Sequence, residues 1–69
     1  MYKIGQRFQD EEYGGVYILA QVGASLIALI SLADGNRYAD PVYAELGCKN
    51  ISDKEFERIS ACTPFYRLR

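Results

Sequence analysis

The chain contains no histidine, no tryptophan and only two cysteines, Cys48 and Cys62. Without an imidazole, neither a Ser-His-Asp nor a Cys-His catalytic set can be assembled. Two thiols alone also fall short of a four-ligand structural zinc site. The cysteines are not a CxxC pair, and one disulfide would be a sparse framework for a secreted mini-protein. They are expected to be reduced, partly buried thiols of a cytosolic protein. No phosphate-cradling glycine loop is present, since Tyr13-Gly14-Gly15 supplies only a glycine pair. An excess of one charge is lacking too: the net charge is −1 and the pI about 5.2. That is not the basic footprint of a nonspecific nucleic-acid binder, although Arg67 and Arg69 make the C-terminus locally basic. Val16 to Leu32 is rich in apolar residues, but Gln21, Gly23 and Ser25 interrupt it, and it is too short to span a bilayer. Lys3, Gln6 and Arg7 break any signal-peptide core. These absences describe a soluble, cytoplasmic, non-enzymatic protein with no cofactor and no membrane partner.

A 69-residue chain makes one domain, residues 1–69. At this size only about 60% of the unfolded surface is buried. Such scaffolds need a staple, a metal or a partner subunit. With the first two scarce, self-association into a homo-oligomer is the expected source of further burial.

The chain is organised around Ser25 to Tyr43, read as strand, tight turn and returning strand. Leu26, Ala28, Ile30 and Leu32 fall on one face and Ile27 and Leu29 on the other, so both faces are apolar. An antiparallel sheet with one wet face would alternate instead. The second face must therefore be covered by the helix of this chain or by another subunit. The turn can close as a two-residue Asp34-Gly35 loop, pairing Leu32 with Arg37. It can also close as a three-residue loop, Ala33-Asp34-Gly35, pairing Leu32 with Asn36. The second is preferred, because it sets Tyr38 opposite Ile30 and Arg37 opposite Ser31. Pro41 lacks a donor and marks an edge strand or a kink.

Upstream, Tyr2 to Phe8 alternates loosely and Gly5 suggests a bend. Gln9 to Glu12 and Tyr13-Gly14-Gly15 read as a solvated acidic loop, and Val16 to Val22 as a strand. Downstream, Gly47 to Asn50 reads as a connection. Ser52 with Glu55 forms a capping box, and Ile51 with Phe56 a hydrophobic staple. The helix should run from Asp53 to about Ser60, ended by Thr63-Pro64. Phe65 to Arg69 is a last strand. The fold class is mainly β with one short helix (α+β), in the order β-β-β-β-α-β: a small SH3-like partial barrel or bent antiparallel sheet.

The most suggestive polar cluster lies at the hairpin end: Asp34, Asn36, Arg37, Tyr38, Asp40 and Tyr43. A guanidinium is matched to phosphate or carboxylate, and tyrosine rings stack on bases. Asn36, Arg37, Tyr38, Asp40 and Tyr43 are the candidate residues for a nucleotide-sized anionic ligand. Strand alternation sends Arg37 and Tyr38 to opposite faces, so a neighbouring subunit or a kink at Pro41 would be needed to unite them. The plain alternative is that Asp34, Gly35 and Asn36 only make the turn, Tyr38 packs, and Arg37 and Asp40 are solvated. Tyrosine, with six copies, also favours protein interfaces.

The segments KIGQRF, GGVYILAQVG, ALISLADGNRYADPV and ISDKEFERI resemble short proteins encoded by bacteriophages and prophage-bearing bacteria. These share a YILA-type strand, an ALI-x-L-x-DGNR hairpin followed by DPV, and an I-S/T-x-x-E-F helix. The likeness runs from about Ile4 to Ile59. Tyr38 stands where such proteins are expected to carry a tryptophan. The resemblance implies an anti-defence factor: a homo-oligomeric sponge that sequesters a nucleotide-like immune signal, or a protein-binding inhibitor or adaptor of a host protein. A single-strand nucleic-acid module is the third reading, disfavoured by the acidic pI.

Overall fold

The computed structural model describes residues 1–69. Its longest strand, Val16–Gly23, pairs antiparallel with Leu26–Ser31, and the alternation of both segments fixes two unlike faces. Leu19 lies opposite Leu29 and Gln21 opposite Ile27 on one side; Ile18 lies opposite Ile30 and Ala20 opposite Ala28 on the other. In chain order the elements are β1 (Tyr2–Lys3), β2 (Arg7–Asp10), β3 (Val16–Gly23), β4 (Leu26–Ser31), β5 (Val42–Tyr43), β6 (Asn50–Ile51), α1 (Asp53–Ile59) and β7 (Phe65–Arg67). They form a five-stranded sheet, β5-β4-β3-β2-β7, and a two-stranded sheet, β1-β6. Every pairing is antiparallel. The mainly β class with one short helix is thus observed. The large sheet does not close into a barrel, and β5 and β7 remain its edges. No helix is long and apolar enough to cross a membrane.

One face of the large sheet supplies Phe8, Leu19, Ile27, Leu29 and Val42 to the core, and β6 and α1 cover it with Ile51, Phe56 and Ile59. Phe56 joins the layers: its ring stacks on Tyr2 at 3.9 Å and lies tilted against Phe8 at 4.9 Å. Gly5, at φ +93°, turns the chain from the small sheet into the large one, as only glycine does without strain. The sequence reads Asn50 as part of a connection and Ile51 as the helix staple, because two residues carry no detectable strand period; together they form β6, in register Tyr2 with Ile51 and Lys3 with Asn50.

Three local expectations are corrected. The central hairpin is closed by four residues, Leu32 to Gly35, and not by three: the Ser31 N–H donates to the Asn36 carbonyl at 2.9 Å, and Arg37 bridges Ile30. Side chains decide this. The Ser31 hydroxyl accepts the Ala33 N–H at 3.2 Å, and the Asp34 carboxylate accepts the Asn36 N–H at 3.0 Å. The one-residue shift sends Tyr38 to the core face, its N–H on the Leu29 carbonyl at 2.9 Å, and away from Ile30. The return strand then leaves the sheet and pairs again only at Val42–Tyr43, an edge as Pro41 foretold. Asp10, placed by the sequence in a solvated loop, ends β2 and is buried; its Oδ1 accepts the Glu12 N–H at 2.8 Å and the Tyr13 N–H at 3.3 Å. The thiols are free, but Cys62 is exposed and not partly buried.

The helix begins where the capping box placed it. Ser52 Oγ accepts the Glu55 N–H at 3.2 Å and Glu55 Oε1 accepts the Ser52 N–H at 2.9 Å. It ends at Ser60, before Thr63-Pro64, in a left-handed pair, Ala61 and Cys62. Replacing Ser52 with alanine is expected to lower stability by about 1 kcal/mol in a urea titration at neutral pH. The Ser52 backbone N–H also holds the Glu55 carboxyl below its usual range. A depressed folded pKa means stability present above the ordinary glutamate value and lost as pH falls through the folded one. The deficit of Glu55→Ala, which removes this carboxylate, should therefore shrink in titrations run at increasingly acidic pH. A Glu55→Ala deficit unchanged by acid would show that the carboxylate bond to the Ser52 N–H adds nothing.

Candidate functional site

The five candidate residues are distributed by the corrected register. Arg37, opposite Ile30, and Tyr43, opposite Leu26, lie on the face of the large sheet turned away from the core. Their partners are four residue steps apart along β4, a span of about 13 Å. Tyr43 is 83% exposed. Asn36 is held through its backbone in the turn, and Asp40 is exposed in the stretch where pairing lapses. The Asn36 backbone N–H, with the Ser31 hydroxyl, holds the Asp34 carboxyl below its usual value, as a turn-forming aspartate requires.

Tyr38 is on the other side. Its ring meets Tyr17 edge-on at 5.2 Å and Phe65 at 5.1 Å, and its hydroxyl donates to Thr63 Oγ1 at 2.9 Å. Burial, and then the neighbouring Tyr38, push the Tyr17 phenol up from its ordinary value. Tyr38 therefore fastens the hairpin to the segment before β7, and its ring is not free to stack on a ligand. The structure brings Arg37 and Tyr43 to one surface and does not bring Tyr38 to it. Neither of the two clefts of the molecule is lined by any of the five residues.

What lies between Arg37 and Tyr43 is an apolar field. Ile18, Ala20, Leu26 and Ile30, each half-buried, fill its centre around the fully buried Ala28, with Leu32, 52% exposed, at its margin. α1 and β6 pack on the opposite face, so no element of this chain lies over it. One row across the strands runs Arg37, Ile30, Ile18, Arg7: a guanidinium at each end of two isoleucines. No carboxylate comes within 4.0 Å of the Arg37 guanidinium. The two-sided apolar pattern of β4 had located this face in sequence. The row of residues across it was invisible until the strands were paired. No protein-family model matches the chain, and comparison with curated proteins and with solved structures likewise finds no match.

Proposed function

We propose that the protein is a non-enzymatic binding protein that works through the open face of its five-stranded sheet, as a homo-oligomer in a reducing cytoplasm. The observation that carries this reading is the apolar field on β3 and β4, uncovered by the chain's own helix and charged only at its margins. A second copy of the chain is the occupant that a domain this small most needs for burial. At the margin, Arg37 without an ion pair and the exposed Tyr43 suit a nucleotide-like anion, one through a guanidinium fork and one through a ring. The resemblance to phage-encoded proteins fits a sponge for such a signal in a host cell. A host protein as the target is the second reading, and the same observation supports it, since a flat apolar surface with tyrosine at its rim fits a protein better than a buried small molecule.

A thermal-shift panel of cyclic dinucleotides, ADP-ribose derivatives and host-protein candidates separates the two, because a ligand of the folded state raises the melting temperature by mass action. A cyclic-dinucleotide shift that disappears in Arg37→Ala, whose own melting temperature stays at the parental value, is the expected result. Arg37 is exposed and should carry within about 0.5 kcal/mol of stability. A flat nucleotide response would remove the sponge and leave the protein-binding reading. A shift equal in parent and variant would move the site away from the hairpin.

A further inference from the structure

The larger of the two clefts, about 290 Å³, lies between the turn at Gly5 and the C-terminal tail. Lys3, Arg7 and Arg69 line it, together with Gly5, Gln6 and Leu68, and no aspartate or glutamate side chain does. None of these three cations is in an ion pair: the one ion pair of the molecule joins the Met1 amino group to Asp53. In a chain with nine acidic and eight basic side chains, three basic and no acidic side chains around one cleft depart from an even mixture. The walls are fixed. Gln6 Nε2 donates to the Leu68 carbonyl at 2.7 Å, the Leu68 N–H donates to the Arg7 carbonyl at 2.9 Å, and the Gly5 N–H donates to the Leu19 carbonyl at 2.7 Å. A Cβ at Gly5 would meet nothing within 4 Å, so this side of the turn is open to an incoming group. The Lys49 carbonyl accepts the Ile4 N–H at 2.9 Å, which brings the backbone of a fourth basic residue beside the same turn.

We propose that this cleft is a binding site for a small phosphate-bearing anion, with Arg7 and Arg69 as the guanidinium forks and Lys3 as a point charge. Two guanidinium groups and an ammonium around a cleft with no acidic side chain match the oxygens of a diphosphate, and paired N–H donors favour phosphate over chloride. The cleft is at the small end for ligand pockets, which suits a diphosphate group or one end of a nucleotide and not an extended polymer. The site stands apart from Arg37, at the opposite end of the row that crosses the open face, and shares only Arg7 with that face. Because the cleft is wet, binding should weaken steeply with salt.

The test is calorimetric titration of the full chain with pyrophosphate and, in a second arm, with adenosine diphosphate, at fixed ionic strength. Binding that falls at least tenfold in Arg7→Gln/Arg69→Gln, and not in Arg37→Gln, is the expected result. All three side chains are exposed, so the melting temperatures of the variants without ligand should match the parent. Lys3→Gln gives an independent readout should the double variant fail to fold. Binding of both ligands alike would make the diphosphate the whole determinant, and a tighter fit of the nucleotide would add its base or ribose; either supports the site. No heat above that of chloride in either arm, or a loss of binding in Arg37→Gln with the cleft variants unaffected, would overturn it.

Discussion

Phe56→Ala is expected to leave the protein largely unfolded at room temperature. The ring is buried and touches three others: stacked on Tyr2, tilted on Phe8, and edge-on to Phe65 at 6.3 Å. It is the main apolar anchor of α1, with Ile59, against the large sheet. Truncating a buried phenylalanine to alanine costs about 3–5 kcal/mol, part from lost burial and part from the cavity left behind. A domain of this length has a total stability on the order of 3–10 kcal/mol. The loss is therefore comparable with everything that holds the fold. Circular dichroism through a urea titration reads it directly, with little or no folded baseline expected. A cooperative transition near the parental midpoint would mean that the helix is not docked through this ring. The arrangement also explains why Ser52, several residues away, matters less: the cap starts the helix, but the aromatic cluster holds it.

Ala20→Asp is expected to turn the proposed oligomer into a folded monomer. Ala20 sits at the centre of the open face, opposite Ala28 and between Ile18 and Val22 on β3. It is half-buried and its side chain is a single methyl, so the substitution removes almost no packing. In the monomer the new carboxylate would stay in water, at a cost of about 1 kcal/mol or less from strand propensity. In an interface the same charge would have to be desolvated without a partner, which costs several kcal/mol. A penalty of about 3 kcal/mol already weakens association more than a hundredfold. Light scattering over a concentration series, alongside melting curves, distinguishes the effects. A parent that is monomeric at high concentration would remove the self-association reading and leave the face to a different protein. A variant that associates as tightly as the parent would place the interface elsewhere.

The elements legible in sequence were those whose cause is local. The capping box needs only Ser52 and Glu55 three residues apart, and the bend at Gly5 needs only a missing side chain. The two-faced apolar character of β4 follows from strand alternation, and the single short helix from its cap and from Pro64 beyond it. The absence of histidine restricted the chemistry before any fold was known. Tertiary structure decided what depends on partners distant in sequence. The hairpin register turned on Ser31 and Asp34 bonding to the turn backbone, and on whether Tyr38 found Ile30 or the Tyr17–Phe65 pair. It found the pair, because there the ring packs on both sides and the hydroxyl has Thr63 to donate to. That single step divided the candidate cluster, sending Arg37 to the open face and Tyr38 to the core. The β1–β6 pairing and the Lys3–Arg7–Arg69 cleft were likewise unreadable in sequence. They join segments far apart in the chain, and local propensity carries no information about contacts that only the closed fold creates.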